Sequence, residues 1–258
     1  MEITLSGRAA IITGGSKGIG FAIASRFAGS GADVAIIARG REALDQAAKT
    51  IATKATGRVV GLQGDVANAA DLERAYGAAM QAFGKVDIIV NNAGTSRTGA
   101  FEDITDAIWR EDFDLKLFAA IRLTRLVWPQ MKERRWGRVI NVLNIGAKAA
   151  RPRSAPTSIT RAAGMALTKV LAGEGAPHGI LVNALLVGFI ESDQWVQRAA
   201  KLGVALADFL AKMGKEVPMG RIGTAQEFAN VACFLASDAA SYITGTAINV
   251  DGGRSPVV

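Results

Sequence analysis

Gly14, Gly18 and Gly20 stand in the run TGGSKGIG at residues 13–20, between the apolar stretch AAIIT and an Ala-rich amphipathic stretch. Glycines at a strand-to-helix turn permit a tight bend and let the backbone approach a pyrophosphate. The charge of that group suits the free N–H groups and positive end of the helix that follows. The next apolar run, DVAIIA, ends at Ala38-Arg39, about twenty residues beyond the turn, where an acid would accept a hydrogen bond from the ribose 2′-hydroxyl of NAD. No acid stands there. Arg39, with Lys17 inside the turn, suits a 2′-phosphate through charge-assisted hydrogen bonds, so NADP(H) is favoured and NAD(H) is the lesser expectation.

Other chemistry-bearing residues are sparse. One His and one Cys cannot make a zinc site. His178 lies in EGAPHGI, a turn before an apolar run, at the end of a sheet away from a ligand crevice. Cys233 falls at helical spacing among Phe228, Val231 and Leu235, as a small core residue does. Tyr76 sits on an expected outer helix and Tyr242 just before the last strand, so neither is placed as an acid or base. The cations Lys116, Lys148, Arg151, Arg153 and Arg161 fall on segments expected around the crevice, which would attract an anionic small-molecule substrate such as a carboxylate.

The net charge of +7 does not point to nucleic acid, because the basic residues are scattered singly among Ala, Gly and apolar residues. The cluster Lys132, Arg134, Arg135 and Arg138 closes a long helix, where cations offset exposed carbonyls. The opening residues MEITLSGRAA lack a basic segment followed by an apolar core. No run approaches the roughly 18 to 20 apolar residues of a membrane span. A soluble cytoplasmic protein without membrane or nucleic-acid partners is expected.

The elements that must position these residues are legible in the alternation of short Val/Ile-rich runs with longer amphipathic stretches. AAIIT, VAIIA, VVGLQ, DIIVN, RVINV, ILVNALL and AINV read as strands. Near-continuous apolar strands separated by helices predict a parallel sheet covered on both faces, hence a doubly wound, Rossmann-type α/β sheet of about seven strands. Helices are expected at 18–29, 42–56, 68–83, 106–134, 157–173 and 224–236, all in one domain spanning 1–258. The segment 188–216 inserts extra helical pattern over the strand carboxyl ends and is a candidate lid.

TGGSKGIG, GDV at 64–66, NNAG at 91–94, RVINV at 138–142, VNALLVGFIES at 182–192 and ITGTAINVDGG at 243–253 together resemble the short-chain dehydrogenase/reductase family along essentially the whole chain. The resemblance implies that Gly14, Ser16, Lys17, Gly18, Ile19 and Gly20 line the pyrophosphate and adenosine side. Arg39 then meets the 2′ position, and Asp65 and Val66 the adenine. Asn91, Ala93 and Gly94 would border the nicotinamide ribose, with Gly188 and Ile190 on the cofactor wall and Ser192 keeping a hydroxyl for the carboxamide. It also implies homo-oligomers, dimers or tetramers, paired through the helices at 106–134 and 157–173.

The family's catalytic Asn, Ser, Tyr and Lys fall, by the same resemblance, on Lys116, Asn144, Thr157 and Arg161, and none matches. Thr157 is shorter by a ring than the phenol and far less acidic. Arg161 is a permanent cation that can grip ribose hydroxyls but not exchange protons near neutrality. Asn144 can still donate to a carbonyl, and a desolvated Lys116 could titrate low enough to move a proton. The first expectation is an NADP(H)-dependent oxidoreductase of small carbonyl or alcohol substrates with an atypical site. A non-redox lyase or isomerase using Lys116 as base, and a non-catalytic nucleotide-binding protein, are the alternatives.

Overall fold

The computed structural model describes residues 3–258, with every side chain among them except that of Asp193. Strands run in chain order β1 (Ala9–Thr13), β2 (Asp33–Ala38), β3 (Val59–Gln63), β4 (Ile88–Asn91), β5 (Thr98–Gly99), β6 (Gly137–Asn144), β7 (Ala155–Pro156), β8 (Ile180–Val187) and β9 (Ala247–Val250). Seven of them form one parallel sheet in the order β3-β2-β1-β4-β6-β8-β9, while β5 and β7 make a small antiparallel ribbon. All seven strands expected from the sequence are therefore present. The order reverses beside β1, and the carboxyl ends of β1 and β4 diverge there to open a crevice.

The sheet is apolar on both faces because alternate residues point in opposite directions. Ala10, Ile12, Val34, Ile36, Ile88 and Val90 pack one face beneath α1 (Gly18–Gly29), α2 (Arg41–Ala52) and α9 (Ala225–Ala236). Ala9, Ile11, Ala35, Ile37 and Ile89 pack the other, beneath α3 (Ala69–Phe83) and α5 (Ala119–Arg134). Cys233 lies in the first core; burial pushes its thiol up. His178 closes a short turn before β8, at the amino ends of the strands, away from the crevice.

Two helices depart from the sequence expectation. The helix placed at 42–56 stops at Ala52, short of Gly57, which must pass so close to the Ala32 carbonyl that a Cβ would lie 2.6 Å from it. The helix placed at 106–134 is not uniform: α4 (Asp106–Phe113) passes through a wide π turn at Asp114–Phe118 before α5 resumes. Such widened turns concentrate at functional positions, and this one contains Lys116. After α6 (Thr157–Gly175), the segment at 188–216 folds into α7 (Asp193–Lys201) and α8 (Leu206–Gly214) beside the carboxyl end of β8. Among the described residues, no helix is long and apolar enough to cross a membrane.

Candidate active site

A single cavity of about 900 Å³ follows the carboxyl ends of the strands from Arg39 at one end to Ser158 and Arg254 at the other. Its nucleotide end is made by the turn between β1 and α1. Gly18 holds φ +55, a left-handed conformation that favours glycine, and a Cβ on Gly20 would fall 2.2 Å from the Gly14 carbonyl oxygen. α3, α4 and α9 start with side-chain caps from Asn68, Thr105 and Thr224. α1 starts without a side-chain cap and has no acid in its first turn. Its amide groups and dipole are left to face the cavity, the arrangement that accepts an anion.

Gly14, Ser16, Lys17, Gly18, Ile19 and Gly20 all line this cavity, as do Arg39, Asp65 and Val66. Among the described side chains, Asp65 is the only acid on the lining, against Lys17, Arg39, Arg151, Arg161 and Arg254. That imbalance, the uncapped helix and the glycine turn fit a phosphate-rich dinucleotide, with an exposed cation at the end of β2 rather than an acid.

Ala93 and Gly94 line the middle of the cavity, but Asn91 does not. Its amide donates to Asn141 Oδ1 at 2.8 Å, and it borders a separate, water-sized cavity of about 10 Å³ with Lys116, Thr160 and Arg161. Asn92, which the sequence reading passed over, takes the place on the main lining. Its Nδ2 donates to the Thr13 carbonyl at 2.9 Å, while Thr13 Oγ1 accepts from the Asn92 and Ala93 amides at 2.9 and 3.0 Å. The pleat explains the swap: neighbours in an extended chain face opposite ways, and a motif match does not say which faces the ligand. Gly188, Ile190 and Ser192 line the wall after β8, followed by Gln194, Trp195 and Gln197 of α7, so the expected lid segment does border the cavity. Trp195 is fixed by its indole N–H to the Ile190 carbonyl at 2.8 Å and packs edge-on against Phe189.

The reaction end brings Asn144, Thr157 and Arg161 onto the same lining. Arg161, on α6, donates from Nη1 to the Val142 carbonyl at 2.7 Å, and its other terminal nitrogen lies where a Cβ on Gly94 would be 2.6 Å away. Burial lowers its pKa to about 10, so it stays a cation at neutral pH. Lys116 neither reaches the main cavity nor snorkels to solvent. Its ammonium is buried one side chain behind the wall, bonded to Asp112 Oδ1 and, at 2.9 Å, to Thr157 Oγ1. Asp112 Oδ2 accepts from Thr160 at 2.7 Å, and Thr157 Oγ1 donates to the Arg97 carbonyl at 2.7 Å while accepting its amide at 3.0 Å. Burial first, then the Arg161 guanidinium, push the Lys116 ammonium down to about 8, against the opposing hold of Asp112.

Of the other cations expected at the crevice, Arg151 lines it. Lys148 and Arg153 do not: Lys148 Nζ is spent on the Ala247 carbonyl at 2.6 Å, and Arg153 sits at a turn with φ +63. Arg254 was missed although it directly follows the ITGTAINVDGG run, because nothing in that run shows that the chain after it turns back to the crevice; it stacks on Phe189 at 3.6 Å and bonds Glu216 at 3.2 Å. Neither Tyr76 nor Tyr242 lines the cavity.

The chain matches the enoyl-(acyl carrier protein) reductase family profile over residues 14–255. It is 34% identical over 253 residues to the 3-oxoacyl-[acyl-carrier-protein] reductase of Aquifex aeolicus, covering 98% of this chain and 99% of that one. It is 33% identical to human dehydrogenase/reductase SDR family member 4, covering 96% and 88% of the two chains. Among solved structures, L-sorbose reductase from Gluconobacter frateurii, complexed with NADPH and L-sorbose, superposes over 100% of both chains with a TM-score of 0.96 and 34% identity. With the profile and these relatives spanning nearly its full length, the chain belongs to the short-chain dehydrogenase/reductase family of oxidoreductases.

Proposed function

We propose that the protein reduces or oxidises a small carbonyl or alcohol substrate with NADP(H), through a reaction site that differs from the family's usual Asn-Ser-Tyr-Lys set. The observation that carries this reading is the continuity of one cavity from Arg39 and Lys17 to Asn144 and Arg161. The L-sorbose reductase to which the chain is similar is complexed with NADPH, which supports the same cofactor here.

Gly14 and the run from Ser16 to Gly20 would hold the pyrophosphate, Arg39 with Lys17 the 2′-phosphate, and Asp65 and Val66 the adenine side. Ala93, Gly94 and Arg161 would hold the nicotinamide ribose, and Ile190 and Ser192 the carboxamide end. The chemistry supplied by a nicotinamide held there is hydride transfer. Asn144 donates to the substrate carbonyl. Arg161 stays charged and orients ribose hydroxyls, leaving the proton to other groups. Lys116 Nζ passes a proton to Thr157 Oγ1, and the hydroxyl proton of Thr157, turned from the Arg97 carbonyl, goes to the substrate oxygen; Lys116 is left as the neutral amine. A lysine near pKa 8 suits that task, since a proton donor works best with a pKa near the operating pH. Arg151 on the lining, joined by Arg254, which is paired with Glu216, favours a substrate carrying negative charge. Phe118, Ile159 and Val170, exposed on the π turn and α6, support pairing of copies through these helices.

The test is NADPH oxidation followed at its absorbance with a panel of carbonyls that includes L-sorbose, an acetoacetyl thioester and a 2-keto acid. Substrate-dependent oxidation is expected. NADPH binding without turnover on any of the panel would overturn the catalytic reading.

A further inference from the structure

Ser158 follows Thr157 in the first turn of α6, is only 4% exposed and yet lines the cavity. The hydroxyls around it are committed within the protein. Ser154 Oγ donates to the Arg151 carbonyl at 2.6 Å, Thr157 Oγ1 to the Arg97 carbonyl at 2.7 Å and Thr160 Oγ1 to Asp112 at 2.7 Å. Among the described residues, none offers Ser158 Oγ a hydrogen bond.

Asn144, at the end of β6, also lines the cavity: its Oδ1 is buried without a partner and, among the described residues, no group accepts from its Nδ2. The two meet over Gly146. A Cβ built on that glycine would lie 2.6 Å from Ser158 Oγ and 3.2 Å from Asn144 Oδ1. Gly146, lacking a side chain, leaves room beside both groups. A hydroxyl and an amide N–H on a cavity wall that no protein group engages are available to a ligand oxygen.

We propose that Ser158 is a catalytic residue, whose hydroxyl holds the reacting oxygen of the substrate together with the Asn144 carboxamide. This rests on the carbonyl chemistry inferred above. A carbonyl oxygen has two lone pairs; one accepts from the Asn144 amide N–H and the other from Ser158 O–H. Both bonds strengthen as negative charge gathers on that oxygen. In the reverse direction the serine oxygen accepts from a substrate hydroxyl, which an amide N–H cannot do. The hydroxyl absent from position 144 is thus supplied from the neighbouring helix.

Ser158→Ala and Ser158→Thr are compared with the unaltered protein in steady-state turnover of whichever panel carbonyl it reduces, in NADPH binding by fluorescence, and in thermal melting. Ser158→Ala is expected to lower kcat at least about tenfold, with the NADPH Kd and Tm unchanged, and Ser158→Thr to recover most of the rate. Ser158→Cys, of nearly the same size but a weak donor, carries the same expectation should the alanine variant melt low. An unaltered kcat in Ser158→Ala, or a kcat loss matched by equal weakening of NADPH binding, would overturn the role of Ser158 while leaving the oxidoreductase reading in place. If the unaltered protein binds NADPH but reduces no carbonyl, that reading falls and the role of Ser158 with it.

Discussion

The nucleotide end of the crevice is made by backbone and the reaction end by side chains. At the first, a glycine turn and an uncapped helix present amide groups, and what matters is where side chains are absent. At the second, Asp112, Lys116, Thr157 and Thr160 come from two helical segments far apart in the chain and hydrogen-bond one another in a buried network beside Arg161. The contrast teaches that a backbone site tolerates little change in its glycines but leaves its sequence signature intact. A side-chain site can be re-equipped while the scaffold stays the same.

The sharpest break in that contrast is Gly20→Ala. Its methyl would sit 2.2 Å from the Gly14 carbonyl oxygen, against backbone that cannot rotate away. Overpacking of this kind costs about 1–3 kcal/mol or more, so a lower Tm and loss of measurable NADPH binding are expected by melting and calorimetry. Binding retained at the unaltered affinity would mean the turn is not the anion cradle.

At the reaction end, Lys116→Met leaves the buried Asp112 carboxylate without its ammonium. Breaking one side of a buried pair costs roughly 3–5 kcal/mol, and an added Asp112→Asn should return much of it, as measured in denaturant. Activity carries a separate signature. With Lys116 lowered to about 8, a rate that depends on its proton should fall as pH rises through 8. Stability should move the other way. The unfolded chain keeps that proton up to the ordinary value of 10.5 whereas the folded chain releases it near 8, so this group adds stability as pH climbs between them. A rate that rises through pH 8 would make Lys116 a base instead.

The smallest effect belongs to the corner of β2. Arg39→Ala should weaken NADPH binding by roughly 1.5–3 kcal/mol, the worth of a hydrogen bond to a charged group, and leave NADH binding unchanged. Equal loss for both nucleotides would remove the 2′-phosphate assignment.

How much the sequence disclosed follows the same division. All seven strands of the main sheet and the residues of the glycine turn were legible, because near-continuous apolar runs and glycine spacing are local signals. Arg254 and Asn92 were not, since one reaches the crevice from the tail and the other is distinguished from Asn91 only by the direction of a pleat. Asp112 and Thr160 were likewise invisible as partners of Lys116. They are four residues before it and forty-four after it in the sequence, and only the packing of α6 against the π turn brings all three together.

The π turn itself has a consequence for anyone aligning or redesigning this chain. One residue more than an α-turn holds is accommodated there, and each residue of a helix swings its neighbours by about 100°. Deleting a single position between Asp114 and Phe118 would let a regular helix form, yet would rotate Asp112 or Lys116 off the face that meets α6. A length change of one, harmless in a loop, would here dismantle the ion pair and the hydroxyl it steadies without altering any of the residues that compose them.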